Sequence, residues 1–368
     1  MSFEIIRNTE NTAFDGCDFV VQLPEERAGQ SVRVLQLTDM QIIDSAQRRT
    51  PDRIRADEIA SWAPENFDGL CADHIRSLVA QSRPDLIIIT GDIVYGSFDD
   101  AGSTLRYICE LMDSLGVAWA PTFGNHDNES KMGVDWQCEQ FEQSRYCLFK
   151  RGTVSGNSNY TVGIAIGERL VRVIHMLDSN GCKGSEDPSV IKQPGIFPDQ
   201  LAMIEQNTAR IRAAQGGEVP AFVAFHIPVE TFKQAEYAKG YRKDEEQYYV
   251  IGVDAQAKDC DFGFCLEKYS TIAVGEDFCE RLRAESVDGV FVGHYHKTCL
   301  SIFYEGIRWT FGRKTGQYDY HAPYQIGATE IVLLGDAFEV RHIPSLVQPA
   351  PMPVYAPSFR GLFVSGNE

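Results

Sequence analysis

Five short apolar runs, each ending in a polar corner, constrain the fold of this chain more than any other feature. They stand at 32–37, 85–90, 117–123, 221–225 and 288–292 and are rich in Val, Ile and Leu. Nearly continuous apolar runs of this length are typical of strands that are buried on both faces. Each run is followed by residues that can bind a metal ion, so the strand ends are the candidate site positions.

Helical patterns lie between these runs. Residues 67–82 and 102–115 place apolar side chains on one face, and residues 198–214 begin with Pro-Asp and continue as a helix. Strands that alternate with helices predict an α/β fold in which the strands lie side by side.

A second set of strands has a more antiparallel character. The segments GIAIG-ERL and FYEGIRW read as hairpins with tight turns. Two sheets packed together and covered by helices would account for both sets. The second set comprises 159–166, 169–177, 300–304, 307–311 and 328–333.

The chain shows no linker, repeat or low-complexity tract, so residues 1–343 are predicted to form a single domain. Residues 229–286 are long, polar and aromatic, and we interpret them as an insertion beside the site. That insertion either shapes substrate choice or is a surface excursion. Residues 344–368 hold several prolines and predict an irregular C-terminal tail.

The net charge of −18 makes long nucleic acid a poor candidate partner, because an acidic surface repels the phosphate backbone. A small anionic ester still fits if metal ions supply local positive charge. No apolar stretch is long enough to predict a membrane span. The first residues lack the basic and apolar pattern of a signal peptide.

The ten cysteines are scattered and none forms a C-x-x-C pair. We therefore expect free, mostly buried thiols rather than disulfides or a zinc site. Free thiols favour a reducing, cytoplasmic location.

The residues at the strand ends share a ligand chemistry. Carboxylate oxygen, amide oxygen and imidazole nitrogen together suit divalent and trivalent transition metals. A carboxylate shared by two metal ions would hold them about 3.5 Å apart, which suits a phosphate ester bound between them. The residues are Asp39, Asp92, Asn125, His226, His294 and His296.

Each corner taken alone has a structural explanation. An Asp after a strand can cap a helix, and the Gly-Asn of Gly124-Asn125-His126-Asp127 can form a turn. An isolated histidine is commonly a core residue with satisfied hydrogen bonds. The metal interpretation depends on all five corners occurring in this order.

This order resembles the calcineurin-like metallophosphoesterase superfamily over about residues 31–333. The resemblance implies an α/β fold, a four-layer αββα sandwich of two mixed β-sheets flanked by helices. It also implies a metal-dependent phosphoesterase with a dinuclear site, in which a metal-bound hydroxide attacks phosphorus.

The resemblance also implies roles for single residues. His126 would bind phosphate or act as the general acid, steered by Asp127. The implied ligands are Asp92 as the bridge, Asn125, His226 and His294 for one ion, and Asp39 and His296 for the other.

The first motif departs from the superfamily pattern. It reads Asp39-Met40-Gln41 where the superfamily has Asp-x-His, so an amide replaces an imidazole. The second motif continues to Tyr95, and this G-D-x-x-Y spacing resembles purple acid phosphatases. In those enzymes the first-motif histidine is also absent, and the tyrosine binds Fe(III) as a phenolate.

Our hypothesis is that Tyr95 takes the place left by Gln41 and holds Fe(III), with Fe(II), Zn(II) or Mn(II) at the other position. The alternative is that Tyr95 is a packing aromatic just past a strand and that Gln41 ligates weakly or through water. The third motif also ends in Asp127, where purple acid phosphatases commonly have Glu.

The signal is weaker outside these corners. Arg48, Arg49 and Lys131 are candidates for contact with a substrate phosphate, or solvated loop charges. Lys297, Arg313 and Lys314 flank the last motif, and His321 lies in a loop where we expect a structural role.

The leading functional interpretation is hydrolysis of a small phosphomonoester or phosphodiester. The alternative is a catalytically weak or inactive phosphoesterase fold used for binding or as a scaffold, which Gln41 keeps open. A nuclease would use the same site, but the acidic balance disfavours it.

Overall fold

The computed structural model describes residues 3–43, 68–96, 101–244, 248–252, 260–317, 319–322 and 325–347. Within these ranges the chain forms fifteen strands and six helices. The helices are α1 (Asp68–Ser82), α2 (Ser103–Ser114), α3 (Val134–Gln143), α4 (Pro198–Gln215), α5 (Thr231–Ala238) and α6 (Phe278–Ala284).

The strands are β1 (Glu4–Ile6), β2 (Phe19–Leu23), β3 (Val32–Leu37), β4 (Leu86–Thr90), β5 (Ala118–Thr122), β6 (Tyr160–Ile166), β7 (Arg169–Met176), β8 (Ala221–Ala224), β9 (Tyr249–Gly252), β10 (Phe262–Cys265), β11 (Val287–Val292), β12 (Thr298–Tyr304), β13 (Ile307–Phe311), β14 (Gly327–Leu334) and β15 (Ala337–Pro344).

The strands form two mixed sheets. The larger has the order β1-β2-β6-β7-β8-β11-β13-β12-β10-β9, and the smaller has the order β15-β14-β3-β4-β5. Strands β3, β4 and β5 run parallel in the smaller sheet, and β8 and β11 run parallel in the larger one. Parallel strands end at the same edge of a sheet, so the polar corners that follow them are brought together.

The larger sheet is buried on both faces, as strand β8 shows. Phe222 and Ala224 point into the core between the two sheets. Ala221, Val223 and Phe225 point into the core beneath helices α4, α5 and α6. Helices α1, α2 and α3 cover the smaller sheet. The layers are therefore helix, sheet, sheet and helix, which confirms the αββα prediction.

The five apolar runs all form strands because continuous Val, Ile and Leu suit a position between two apolar layers. All five residues of β4 are buried. Burial of one such side chain contributes about 1.5–3 kcal/mol. The two predicted hairpins are confirmed as the antiparallel pairs β6–β7 and β12–β13. Glu305 and Gly306, with φ of 52° and 79°, form the turn of the second hairpin, which requires left-handed backbone at both positions.

The described part of segment 229–286 is joined to the domain by regular structure. Strand β10 pairs with β12 and β9 pairs with β10, so both extend the larger sheet. Helices α5 and α6 lie in the outer layer of the same sheet. A substrate-shaping role for this segment stays a prediction.

Strand β15 pairs with β14 and ends at Pro344, beside the predicted boundary between domain and tail. Residues 348–368 lie outside the described part of the chain. All ten cysteines are described and are free thiols, and eight of them are buried, as predicted. Among the described helices, none has the length and apolar character to cross a membrane.

Candidate metal centre

The carboxyl ends of β3, β4, β5, β8 and β11 meet at one edge of the sandwich. Two groups of possible ligands form there, and within each group the ligand atoms lie within 4.8 Å of one another. One group is Asp92, His226 and His294, and the other is Asp39, Asp92 and His296. Because Asp92 belongs to both groups, it stands where a bridging ligand is required.

The first group presents two imidazoles and one carboxylate to a common point. His226 donates from Nδ1 to the carbonyl oxygen of Thr90 at 2.8 Å, so its Nε2 is the nitrogen left for a metal. That Nε2 lies 3.3 Å from Asp92 Oδ2 and 3.1 Å from His294 Nδ1. Two nitrogens at this separation fit a cation that binds each at about 2.1 Å, at roughly a right angle.

Asn125 follows β5 and is the predicted amide ligand of the first group. Its Oδ1 is buried and has no hydrogen-bond partner among the described residues. A buried carbonyl oxygen without a partner costs about 1–3 kcal/mol, and a metal ion would remove that cost. The first group therefore fits a divalent cation.

In the second group, His296 faces Asp39. The distance from His296 Nε2 to Asp39 Oδ1 is 3.4 Å, and both residues are almost fully buried. The backbone N–H of His294 donates to both carboxylate oxygens of Asp39, at 3.2 and 3.0 Å. Thr38 Oγ1 donates to Oδ2 at 2.8 Å. These bonds fix the carboxylate with its charge directed at the site.

The loop after β13 orients His296. Its Nδ1 donates to the carbonyl oxygen of Tyr320 at 3.0 Å, which leaves Nε2 to face the site. The Tyr320 ring stacks on the imidazole with 4.3 Å between ring centroids. The Asp319 carboxylate lies 3.5 Å from Nδ1.

Left-handed backbone is concentrated at the strand ends. Asp39, Gln41, Asp92 and His294 have φ of 51°, 44°, 51° and 78°, among ten such non-glycine residues in the described chain. Each costs of order 1–3 kcal/mol, and such strain clusters at functional sites. The strain directs these side chains toward one another, away from the sheet.

Two motif glycines are required by close approach. A Cβ on Gly124 would lie 2.2 Å from Asp92 Oδ1, and a Cβ on Gly293 would lie 2.0 Å from Thr38 Oγ1. Any side chain at these positions would push the loops apart. Glycine at both positions therefore allows the loops that carry the ligands to approach each other closely.

Gln41 stands where the superfamily has a ligand histidine, but hydrogen bonds engage both ends of its side-chain amide. Its Oε1 accepts a hydrogen bond from Lys314 Nζ at 2.7 Å, and its Nε2 donates to Asp92 Oδ2 at 3.3 Å. Lys314 also donates to the carbonyl oxygen of Asp39 at 2.9 Å, and both side chains are fully buried. The amide oxygen is thus bonded to an ammonium group, and the amide nitrogen faces the carboxylate.

His126 lies beside the first group. Its Nδ1 is hydrogen-bonded to Glu129 Oε2 at 2.9 Å, and its backbone N–H donates to Asp92 Oδ1 at 2.9 Å. The ring stacks on Tyr95, with 4.4 Å between centroids and 27° between planes. These contacts fix the imidazole on two sides.

The hydrogen-bond partners of Asp127 differ from the predicted partner, which was the His126 imidazole. Oδ1 accepts the backbone N–H of Ile93 at 2.9 Å and of Val94 at 3.0 Å, and Oδ2 accepts that of Gly124 at 2.7 Å. The carboxylate thus ties the second-motif loop to the third. The hydrogen bond at the His126 imidazole comes from Glu129, so the predicted steering by Asp127 is corrected.

The electrostatics follow from burial beside opposite charges. Burial opposes the charged form of His126, but Asp92 and Glu129 outweigh it and raise its pKa to about 9. Burial and the neighbouring Asp92 raise the pKa of Asp127 to about 7. Burial and the charge of His226 lower the pKa of His294 to about 3.

The remaining predicted residues contribute less. Arg48 and Arg49 lie outside the described residues. Lys131 is exposed. His321 is buried and its Nδ1 donates to the carbonyl oxygen of Asp319 at 3.2 Å, in the loop that orients His296. The structure thus brings five predicted ligands together, namely Asp39, Asp92, His226, His294 and His296, and their binding of metal remains a prediction.

Sequence reasoning missed Glu129 as a neighbour of the site, and it placed Lys314 beside the last motif without predicting a role for it. Glu129 stands three residues after His126, a spacing that suits contact across one helical turn. Lys314 directly follows a buried strand and an arginine, and nothing in that pattern indicates burial.

Comparison with known proteins finds relatives that are named as purple acid phosphatases. Probable inactive purple acid phosphatase 28 of Arabidopsis thaliana is 24% identical over 67% of this chain and 62% of its own length. Probable inactive purple acid phosphatase 14 of the same plant is 22% identical over 80% of this chain and 72% of its own. The chain thus spans less than two thirds of the first relative.

A solved dimetal phosphatase from Danio rerio shares the fold. It is 12% identical, covers 86% of this chain and 97% of its own, and has a TM-score of 0.50. The sequence model of the calcineurin-like phosphoesterases matches residues 32–298, which include every ligand candidate from Asp39 to His296. This chain therefore belongs to the calcineurin-like phosphoesterase family.

Proposed function

We propose that this chain hydrolyses a small phosphomonoester or phosphodiester at the metal centre. The observation that carries the proposal is the pair of ligand groups that share Asp92, with the His126 imidazole fixed beside them. Metal ions, when bound, supply Lewis acidity to phosphate oxygens and to the attacking water.

The chain's own residues complete the chemistry. Asp39, Asp92, Asn125, His226, His294 and His296 would hold the ions. Glu129 holds His126 at Nδ1, so Nε2 is the atom that would donate a proton to the leaving oxygen or bind a phosphate oxygen.

Hydrolysis of p-nitrophenyl phosphate and bis(p-nitrophenyl) phosphate tests the proposal, with Mn(II), Zn(II) or Fe added singly. We expect turnover of at least one ester. His126→Ala should retain its metal and lose about 10²–10⁴-fold in kcat. Asp92→Ala should lose both metal and activity. Folded protein that turns over neither ester with any of these metals would contradict the proposal.

A second candidate function is phosphate-ester binding without turnover. Two observations favour it: Gln41 is bonded to Lys314 at a position where the superfamily has a ligand, and the curated relatives are named probable inactive. A protein of this kind would bind inorganic phosphate in the presence of metal yet leave both nitrophenyl esters intact.

The identity of the metals is a finer question. The stacking of Tyr95 on His126 and the bonds of Gln41 favour the packing role that the sequence analysis left open for Tyr95. The Fe(III) hypothesis stays a prediction. A visible tyrosinate-to-iron absorption band that Tyr95→Phe abolishes would support it, and a colourless active protein would reject it.

A further inference from the structure

Lys314 is a fully buried ammonium group beside the proposed ligands, and the reaction described above does not use it. Its side chain has no exposed surface, and Asp39, Asp319 and Asp92 are the carboxylates whose charges act on it. Lysine is almost never fully buried unless it is paired. Burial lowers the pKa of Lys314, and the charges of Asp39, Asp319 and Asp92 oppose that shift.

The lysine occupies one side of the second ligand group. Nζ donates to the carbonyl oxygen of Asp39 at 2.9 Å and to Gln41 Oε1 at 2.7 Å. Gln41 Nε2 in turn donates to Asp92 Oδ2 at 3.3 Å. The amide therefore offers its hydrogens, and not its oxygen, to the carboxylate that the two groups share. A metal ion in the second group therefore gains no ligand atom from this side.

The backbone fixes the lysine in place. Thr315 N–H donates to the carbonyl oxygen of Thr38 at 2.9 Å, and Thr38 N–H donates to Thr315 Oγ1 at 3.1 Å. The next residue, Gly316, approaches so closely that a Cβ there would lie 1.8 Å from the carbonyl oxygen of Met40. Residues 314–316 thus lie against the first motif and hold the ammonium group at the site.

The two groups differ in the ligand atoms that they offer. The first offers Asp92 with the imidazoles of His226 and His294, whereas the second offers Asp39 and Asp92 with the single imidazole of His296. Beside the second group, Gln41 donates to the Asp92 carboxylate and Lys314 donates to the Asp39 carbonyl, so this side presents hydrogens rather than a further ligand atom.

We propose that Lys314 and Gln41 make the group of Asp39, Asp92 and His296 the weaker of the two metal sites. The group of Asp92, Asn125, His226 and His294 then holds one divalent ion firmly, and the second ion is bound loosely. This inference rests on the proposed metal centre and does not depend on turnover.

Mn(II) binding to the full chain, after metals are removed with a chelator, tests the inference. Equilibrium dialysis counts bound ions, and electron paramagnetic resonance separates isolated Mn(II) from coupled pairs. For the wild type we expect one firmly bound ion and a second with a Kd at least about tenfold higher. Asp39→Asn should abolish the second binding event and leave the first.

Two variants test the residues named. Lys314→Met should lower the Kd of the second ion by about tenfold, and Gln41→His, which adds an imidazole, should do the same while keeping the lysine. Lys150→Met is the matched control, because it removes a lysine that is paired with Asp18 on the surface. It should leave both Kd values unchanged.

Two equally tight Mn(II) ions in the wild type would overturn the inference and leave the proposed function intact. Unchanged second-site Kd values in folded Lys314→Met and Gln41→His would overturn it as well, and would assign to the lysine only the role of satisfying the Asp39 carbonyl. Folded wild-type protein that binds no Mn(II) would overturn the inference, whereas the proposed function is overturned only by absence of turnover with Mn(II), Zn(II) and Fe alike.

Discussion

The buried carboxylate of Asp127 gives the sharpest prediction. It is 1% exposed and accepts three backbone N–H groups, two at Oδ1 and one at Oδ2, from the loops that carry the second and third motifs. Hydrogen bonds to a charged acceptor contribute about 1.5–3 kcal/mol each, and a buried N–H left without an acceptor costs about 1–3 kcal/mol. Burial and repulsion by Asp92 raise the pKa of Asp127 to about 7 and so offset the part of this stabilisation that depends on its charge.

The variant Asp127→Asn changes the chemistry and keeps the shape. The amide oxygen can still accept from Ile93 and Val94, but without the charge. The amide nitrogen would face the N–H of Gly124, so two donors oppose each other. We expect the free energy of unfolding to fall by about 1–3 kcal/mol, the cost of leaving the Gly124 N–H without an acceptor. The Kd for metal should rise as well, because the two loops lose their tie.

Urea unfolding of metal-free protein, followed by tryptophan fluorescence, measures the change. Asp199→Asn is the control, since that exposed carboxylate also accepts the Ser155 and Gln200 N–H groups and should cost less than about 1 kcal/mol. Unchanged stability and metal affinity of Asp127→Asn, together with a large loss of kcat, would refute the reasoning and restore a catalytic role for Asp127.

Three further predictions follow from the contacts. Glu129→Gln keeps the shape but removes the charge at His126 Nδ1, so we expect about a tenfold lower kcat with unchanged metal content, measured by steady-state kinetics and elemental analysis. Gly124→Ala would place a Cβ 2.2 Å from the bridging carboxylate and should lose metal, whereas Gly184→Ala, with nothing within 4 Å of its Cβ, should not. Burial lowers the pKa of His175 to about 4, below the value of about 6.5 for an unfolded histidine. The unfolded chain therefore takes up the proton first as pH falls, and this residue should cost roughly 2 kcal/mol of stability between pH 7.5 and 5.0. Urea midpoints that shift equally in the wild type and His175→Asn would contradict this.

The strands could be predicted where burial on both faces alone determines the apolar pattern of the sequence. Strand β3 spans the predicted residues 32–37, and β13 spans the predicted 307–311. Shorter or mixed segments such as β9 (Tyr249–Gly252) and β10 (Phe262–Cys265) were missed. β10 pairs with β12 and β9 pairs with β10, and the first of these is a long-range contact that local pattern does not encode.

The site was predictable at the strand ends because parallel topology determines where those ends meet. The partners that orient the ligands were not. Tyr320 reaches His296 from a loop, and Lys314 reaches Gln41 across 273 residues of chain. Such contacts follow from loop conformation, which apolar periodicity does not indicate.

The central claim is that side chains from five separated strand ends hold metal ions together. Elemental analysis of protein purified without chelators tests it most directly, with Asp92→Ala as the comparison because Asp92 belongs to both ligand groups. We predict at least one equivalent of a transition metal for each wild-type chain after dialysis, and none for folded Asp92→Ala. Folded wild-type protein that retains no metal, or a variant with unchanged metal content, would contradict the account.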